Sequence, residues 1–185
     1  MTSTTYRAVL HSTEELSPIV RSFHLRIGGG GARFSHRPGQ WISVKIPTPE
    51  GIQERAYSIA SPPRPDSTLE LCVRRISDGL AGSYFWSLKV GAPIEFSGPF
   101  GKFLLQEPLE RDSVFIANGT GITPLRPMIR QALRATNGYQ VTLLFGVRNE
   151  AELLYRSEWE TLQERHRNFL LVPTFSRPEP SWRGR

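Results

Sequence analysis

The stretch SVFIANGTGITP, residues 113–124, decides the fold of the second half of the chain. Residues 113–117 have the short apolar pattern of a buried strand, and they lead directly into a glycine-rich turn. Gly119 and Gly121 allow the backbone to approach a diphosphate, and Pro124 opens a helix, where its missing N–H costs no intrahelical bond. The free N–H groups at that helix start attract an anion. The pattern G-x-G-x-x-P departs from the G-x-G-x-x-G fingerprint, so an ordinary strand-to-helix turn is the alternative.

A second stretch, Arg55-Ala56-Tyr57-Ser58, combines groups that suit a large, flat, phosphorylated ligand. The Arg55 guanidinium is a planar fork for a diphosphate, and Tyr57 offers an aromatic face for stacking. On a strand these two side chains project to one face, while the Ser58 hydroxyl projects to the other. Two phosphate-handling stretches in one chain predict that it holds two nucleotide cofactors together.

The two stretches, with the motifs around them, resemble the ferredoxin–NADP reductase family of flavoproteins over nearly the whole chain. R-x-Y-S at 55–58 matches the flavin motif of that family, and the turn at 117–124 lies where the family binds its nicotinamide dinucleotide. The other matching motifs are PGQW at 38–41, LCVRR at 71–75, DGLAGS at 78–83, GPFG at 98–101, FGVR at 145–148 and SR at 176–177. Their shared order and spacing carries the resemblance.

The resemblance implies an FAD site and a site for a nicotinamide dinucleotide, with no metal. Arg55 and Ser83 would hold the FAD diphosphate, and Tyr57 would stack on the flavin. The two residues expected at the reacting atoms are Ser58, at the flavin edge, and Thr120, on the nicotinamide side. The other residues expected at the FAD site are Ala56, Cys72, Val73, Arg74, Leu80, Ala81 and Gly82. The other residues expected at the dinucleotide site are Gly119, Gly121, Pro124, Arg148, Ser176, Arg177 and Arg185.

The implied activity is transfer of a hydride from NADPH or NADH to flavin N5, followed by electron transfer to an acceptor. Ser176, Arg177 and Arg185 resemble a family pattern that grips a 2′-phosphate, which favours NADPH. A chain with net charge +6 also suits an acidic electron-transfer protein, such as a ferredoxin, a flavodoxin or an oxygenase component. The acceptor itself stays open, because acceptor choice depends on surface shape.

The order of sequence patterns predicts two domains of different kind. Residues 1–108 alternate short β-type runs with Gly/Pro turns, which predicts an antiparallel Greek-key β-barrel, here the FAD-binding domain. Residues 109–185 alternate strands and helices, which predicts a parallel-sheet nucleotide-binding α/β domain. The predicted helices are 83–88, 125–136 and 150–166. Family members usually continue through two further strands beyond position 185, so this second domain is expected to be incomplete at its C-terminus.

Composition narrows the function classes. The arginines are spread along the chain rather than clustered, which argues against a nucleic-acid-binding protein despite a pI near 10.0. A single cysteine, Cys72, excludes an internal disulfide and a four-cysteine cluster within the chain, and no apolar run is long enough to cross a bilayer. We therefore expect a cytoplasmic protein without a membrane span. The rival to an enzyme is a non-catalytic flavin- or nucleotide-binding regulatory module, or a fragment of a larger reductase.

Overall fold

The computed structural model describes residues 4–28, 34–135, 138–180 and 182–183. Six strands make up its first part: β1 (Thr5–Ser17), β2 (Val20–Ile27), β3 (Trp41–Thr48), β4 (Gly51–Ser58), β5 (Thr68–Arg74) and β6 (Pro93–Phe100). They form one antiparallel sheet in the order β4-β3-β6-β1-β2-β5. The two outer strands of this order come together at a bridge between Ile59 and Leu71, which closes the sheet into a barrel. This arrangement confirms the predicted Greek-key barrel.

One helix, α1 (Leu80–Ser87), packs its aromatic face against the barrel interior. Phe85 is fully buried, and its ring centroid lies 5.0 Å from that of Phe23 on β2. The rest of the interior is filled by inward-facing side chains of the strands, among them Leu25, Ile42 and Phe96. The helix begins at Leu80, before the predicted start at Ser83, so the glycine-containing turn of the motif at 78–83 forms its first turn.

The second part is a three-stranded parallel sheet that begins with the stretch quoted above. Its elements are β7 (Ser113–Asn118), α2 (Ile122–Ala135), β8 (Val141–Val147), α3 (Arg156–Arg165) and β9 (Phe169–Phe175). The sheet order is β7-β8-β9, as expected when each helix crosses over to the next parallel strand. Phe115 and Ala117 of β7 are buried beneath the helices, whereas the alternate residues Val114 and Ile116 are exposed. The predicted α/β architecture is confirmed.

Helix α3 begins later than the sequence pattern predicts. A short 3₁₀ turn occupies Glu150–Glu152, and the α-helix starts only at Arg156. Between them Leu153 and Leu154 turn into the core, and Tyr155 adopts a left-handed backbone conformation with φ of 59°. The left-handed residue interrupts the run, because a non-glycine side chain in that conformation does not continue a right-handed helix.

The two parts share a buried interface along β5. Leu69, Leu71 and Val73 face the barrel interior, while Cys72, on the opposite face of the strand, packs in the core of the second part. A strand buried on both faces is unusual for an antiparallel barrel, and here it places the barrel wall directly against the parallel-sheet domain.

A second contact between the two parts is close enough to require a glycine. Gly39 has φ of +98°, and a Cβ atom there would overlap the Met128 methyl group on α2 and the Phe103 carbonyl oxygen. The loop that leads into β3 is therefore fitted tightly beneath α2.

Candidate functional site

A cavity of about 440 Å³ lies at the carboxyl ends of the parallel strands. Its wall includes Asn118 at the end of β7, Val147 at the end of β8 and Phe175 at the end of β9. The barrel also contributes, because Arg74 at the end of β5 lines the same cavity. Ligands of open α/β sheets bind at this edge, so the cavity is the candidate nucleotide site.

The glycine turn at the mouth of this cavity has the geometry that a phosphate site requires. Gly119 has φ of +49°, and a Cβ atom at Gly119 or at Gly121 would have no neighbour within 4 Å. The backbone of the turn thus faces open space. The Thr123 hydroxyl donates a hydrogen bond of 2.6 Å to the Thr120 carbonyl oxygen, which holds the turn against the start of α2. The N–H of Ile122, the first residue of α2, donates to the Gly119 carbonyl oxygen, and Pro124 has no N–H, so an anion at this helix start would be bound by other N–H groups of the turn.

The predicted dinucleotide-site residues are only partly brought together. Gly119, Arg148 and Ser176 line the cavity with Arg74. Thr120, Gly121 and Pro124 lie in the turn and in the first helical turn that follow Gly119. Arg185 lies outside the described residues.

Arg177 is placed beside the cavity by its backbone. Its N–H donates to the Arg148 carbonyl oxygen at 2.7 Å, and its side chain is exposed rather than in the cavity wall.

Three cavity residues lie outside the sequence motifs, and they are Glu152, Thr174 and Phe175. A Cβ atom on Gly146 would lie 3.2 Å from the Asn118 amide nitrogen and 3.4 Å from the Thr174 hydroxyl, so these two side chains flank the glycine. Glu152 pairs with Arg148 through contacts of 2.6 and 2.9 Å. The available signal was topological, since residues that end neighbouring parallel strands must meet at one edge of the sheet.

The Arg148–Glu152 pair changes the charge of the cavity. The hydrogen bond from Arg148 to the Glu152 carboxylate raises the pKa of Arg148 above its ordinary value. The guanidinium is thus already engaged, and the carboxylate contributes a negative charge to the same wall. A ligand with an additional phosphate at this wall would have to compete with Glu152 for Arg148.

A second candidate site lies around β4, an outer strand of the barrel sheet. Arg55 is exposed, and among the described residues its guanidinium donates only to the Gln53 side chain and the Glu54 carbonyl oxygen, both on its own strand. Tyr57 is half-buried, and its ring centroid lies 5.1 Å from that of Phe85 on α1. Burial raises the pKa of Tyr57, so it stays a neutral phenol. Ala56 is exposed, and Ser58 is half-buried.

Helix α1 supplies an anion-binding group next to this strand. No side chain in the described part of the chain caps its start at Gly79, and the N–H groups of Leu80, Ala81 and Gly82 have no intrahelical acceptor. A Cβ atom on Gly82 would lie 3.3 Å from the Ile76 nitrogen, and this close approach seats the helix on the preceding loop. Ser83 is exposed in the same turn. Because the Tyr57–Phe85 contact joins β4 to α1, an arginine, an aromatic ring and a free helix start occur together, and they fit a flavin dinucleotide.

Cys72 and Val73 can contribute to such a site only through their backbone. Their side chains are buried, Cys72 in the core of the second part and Val73 in the barrel interior. Burial raises the pKa of the Cys72 thiol to about 11, so it remains protonated and unreactive.

The described part of the chain shows neither a metal-binding cluster nor a helix that could span a membrane. Within residues 4–28, 34–135, 138–180 and 182–183, no group of three or more His, Cys, Asp and Glu side chains could hold a metal ion. None of the helices in that part of the chain is both long and apolar enough to cross a bilayer.

Each of the two parts of the chain matches a protein-family model. Residues 7–104 match the model of the oxidoreductase FAD-binding domain. Residues 115–185 match the model of the oxidoreductase NAD-binding domain. The barrel part and the parallel-sheet part therefore correspond to the two cofactors, FAD and a nicotinamide dinucleotide.

Individual relatives agree with this assignment. Ferredoxin–NADP reductase B of Sorangium cellulosum is 38% identical over 180 residues, which is 97% of this chain and 73% of that protein. The reductase component of phenol 2-monooxygenase from a Pseudomonas species is 34% identical over 97% of this chain. The chain spans only 50% of that reductase component. The crystal structure of an Amycolatopsis cytochrome P450 reductase superposes with a TM-score of 0.86 at 31% identity, over all of this chain and 56% of that one.

Proposed function

The chain belongs to the ferredoxin–NADP reductase family, and from this membership we propose that it is an FAD-dependent NAD(P)H oxidoreductase that passes electrons on to a protein acceptor. The observation that carries the proposal is the shared cavity wall. Arg74 of the barrel lines the same cavity as Asn118 and Gly119 of the parallel-sheet domain. A dinucleotide held at the second domain would therefore lie against the strand of the barrel that ends in Arg74.

We assign the residues around FAD by the groups they present. Arg55 and the free N–H groups of Leu80, Ala81 and Gly82 would hold the diphosphate, with Ser83 as a further donor. Tyr57 would stack on the ring system, supported from behind by Phe85. Ser58 follows Tyr57 on the same strand, and its hydroxyl would orient the reactive edge. Bound FAD would supply the acceptor of the hydride and the ability to release electrons one at a time.

The residues around the nicotinamide dinucleotide are assigned in the same way. The turn of Gly119, Thr120 and Gly121, with the first turn of α2 that contains Pro124, would hold the diphosphate. Thr120 would be the residue of this turn closest to the flavin. The side chains of Asn118 and Thr174 would contact the part of the dinucleotide that lies over Gly146, where no side chain fills the space.

Two observations bear on the choice between NADPH and NADH. Ser176 in the cavity wall and Arg177 beside it favour NADPH, because a hydroxyl and a guanidinium suit a 2′-phosphate. NADH is the second candidate, because the Glu152 carboxylate would repel a 2′-phosphate and could accept a hydrogen bond from a free ribose hydroxyl. We propose NADPH on the strength of Arg177. An Arg177→Ala variant should have a lower ratio of kcat/KM for NADPH to kcat/KM for NADH than wild type. An unchanged ratio would show that Arg177 does not select NADPH.

A protein acceptor is proposed from the relatives and from charge. One relative is named an electron transfer component of anthranilate 1,2-dioxygenase, and another a reductase component of phenol 2-monooxygenase. The net charge of +6 would attract an acidic partner such as a ferredoxin, a flavodoxin or an oxygenase component. Electron transfer to such a partner should slow as ionic strength rises, because salt screens the attraction between exposed charges.

The test of the whole proposal is an anaerobic visible spectrum of the purified chain, before and after addition of NADPH and then NADH. Flavin absorbance that bleaches with one of them is the expected result. Persistent yellow colour would favour the rival, a flavin-binding regulatory module. Absence of flavin binding after addition of FAD would refute the proposal.

A further inference from the structure

A buried cluster of charged side chains joins the barrel to the parallel-sheet domain, away from the cavity wall. At its centre Arg126 of α2, 7% exposed, contacts Glu70 of β5, 2% exposed, with a distance of 2.6 Å between Nη1 and Oε2. The same nitrogen donates to the Ala60 carbonyl oxygen at 3.1 Å. On its other side the guanidinium contacts Glu158 of α3, with 2.7 Å between Nη2 and Oε2.

Both carboxylates of the cluster, the buried Glu70 and the half-buried Glu158, have more than one partner. The Ser22 hydroxyl and the Tyr155 hydroxyl donate to Glu70 Oε1 at 2.8 and 2.9 Å. Arg130 contacts the second oxygen of Glu158 at 2.7 Å. Burial alone would raise the pKa of Glu70, but the charge of Arg126 and the hydrogen bonds from Arg126 and Ser22 hold it below its ordinary value. Glu70 and Arg126 are therefore both ionised.

Arg126 also lies over the ring of Tyr155, with its Cζ atom 4.0 Å from the ring centroid. This contact and the hydroxyl bond to Glu70 hold the Tyr155 side chain in place, although its left-handed backbone is unfavourable for a non-glycine residue. One arginine thus connects β5, α2 and the loop before α3.

The position of the cluster links it to both cofactor sites. Glu70 and Arg74 lie on the same face of β5, four residues apart, or about 13 Å along the strand. Helix α2 follows the glycine turn at 119–121 directly, and Arg126 lies in the second turn of this helix. The cluster therefore fixes the strand that ends in Arg74 relative to the turn that would hold the dinucleotide.

We propose that Arg126, through its pair with Glu70, is a positioning residue that sets the register between the two domains and thereby the distance from nicotinamide to flavin. This inference rests on the proposed reductase activity. A small change in the separation of reacting atoms has a large effect on rate, and the cluster acts on that separation without contacting either cofactor.

The test compares Arg126→Met with Arg130→Met. Arg130 pairs with Glu158 and makes no hydrogen bond or ion pair with a barrel residue in the described part of the chain, so its variant removes an ion pair and leaves the Arg126–Glu70 pair intact. Calorimetry of the cofactor-free chain should show one unfolding transition for wild type and Arg130→Met. It should show two for Arg126→Met, because the domains then unfold separately.

The second readout is stopped-flow reduction of bound flavin by saturating dinucleotide. Arg126→Met should lower the hydride-transfer rate constant at least tenfold, with less than a threefold change in the dinucleotide dissociation constant. The Glu70→Gln, Arg126→Met double variant leaves no unpaired buried charge, so its stability should recover while its rate stays low. Arg126→Lys should restore part of the rate.

Each outcome decides the proposal. A single transition together with a wild-type rate in Arg126→Met would overturn it, and so would a double variant whose rate recovers with its stability. If Arg126→Met does not fold, Tyr155→Phe replaces it, because it removes the hydroxyl contacts with Glu70 and Cys72, both on β5, and keeps the ring beside Arg126. This variant should lower the rate twofold to fivefold, and an unchanged rate would overturn the proposal. Absence of any hydride transfer in wild type would instead refute the reductase activity, while the calorimetric comparison would still report the coupling of the domains.

Discussion

Substitution of Gly119 by alanine separates the two demands that the phosphate turn makes on its glycine. The first demand is conformational, because φ is +49°. An L-residue in the left-handed region costs about 1 to 2 kcal/mol, and no neighbour within 4 Å adds a clash. For a chain of this size that cost lowers the melting temperature by about 2 to 8 °C.

The second demand comes from the ligand. The added methyl group would point into the open space where a diphosphate approaches the backbone, and it would prevent at least one hydrogen bond from a backbone N–H to a phosphate oxygen. Hydrogen bonds to charged groups contribute about 1.5 to 3 kcal/mol. Loss of one such bond should raise the dissociation constant of the dinucleotide by roughly tenfold to hundredfold.

Two matched variants divide these effects. Gly138→Ala has the conformational cost alone, since Gly138 has φ of +98°, has no neighbour within 4 Å and lies outside the cavity wall. Gly121→Ala tests the effect on the ligand alone, because Gly121 lies in the turn but has no positive φ in the left-handed range. Calorimetry measures the first effect, and equilibrium titration with a non-reducing dinucleotide measures the second. If Gly119→Ala bound the dinucleotide as tightly as Gly138→Ala does, the turn would not be the phosphate site.

Three further predictions address the flavin site, the dinucleotide preference and acid stability. Phe85→Ala should cost about 3 to 5 kcal/mol of stability in calorimetry, since it empties a fully buried site, and should weaken FAD affinity in a fluorescence titration because Tyr57 loses its support. Glu152→Gln should raise the ratio of kcat/KM for NADPH to that for NADH about tenfold, and a ratio that does not rise would exclude a role for this carboxylate. Burial lowers the pKa of His36 in the folded protein despite its contact with the Ser61 carbonyl oxygen, so the unfolded chain binds more protons once the pH falls below 6.5. Urea unfolding at pH 7.5 and 5.5 should therefore show a larger loss of stability in wild type than in His36→Gln, and equal losses would contradict this origin.

The sequence predicts the two architectures because these depend on local pattern. The strand at β5 is predicted from the apolar residues along it. The strand, turn and helix that begin in 113–124 are likewise predicted from neighbouring residues alone. The site residues assigned from the family resemblance stay predictions, but the structure brings Arg74, Gly119, Arg148 and Ser176 into one cavity wall.

The parts that sequence reasoning misses depend on partners far along the chain. Arg126 pairs with Glu70 at a separation of 56 residues, and nothing local distinguishes this arginine from a solvated one. The late start of α3 has the same origin, because Tyr155 keeps its left-handed backbone next to Glu70, 85 residues away. Glu152 is missed for a different reason. It lies in no motif, and it lines the cavity only because three parallel strands end at the same edge of the sheet.

The fit around Gly39 limits how freely the two domains can be exchanged. The glycine leaves no room for a methyl group between the loop before β3, the Phe103 carbonyl oxygen and Met128 of α2. A chimera that joins this barrel to the nucleotide domain of a relative would have to keep the residues at 39, 103 and 128 as a set. In this chain, recombination at the boundary between the domains would be constrained by one backbone position.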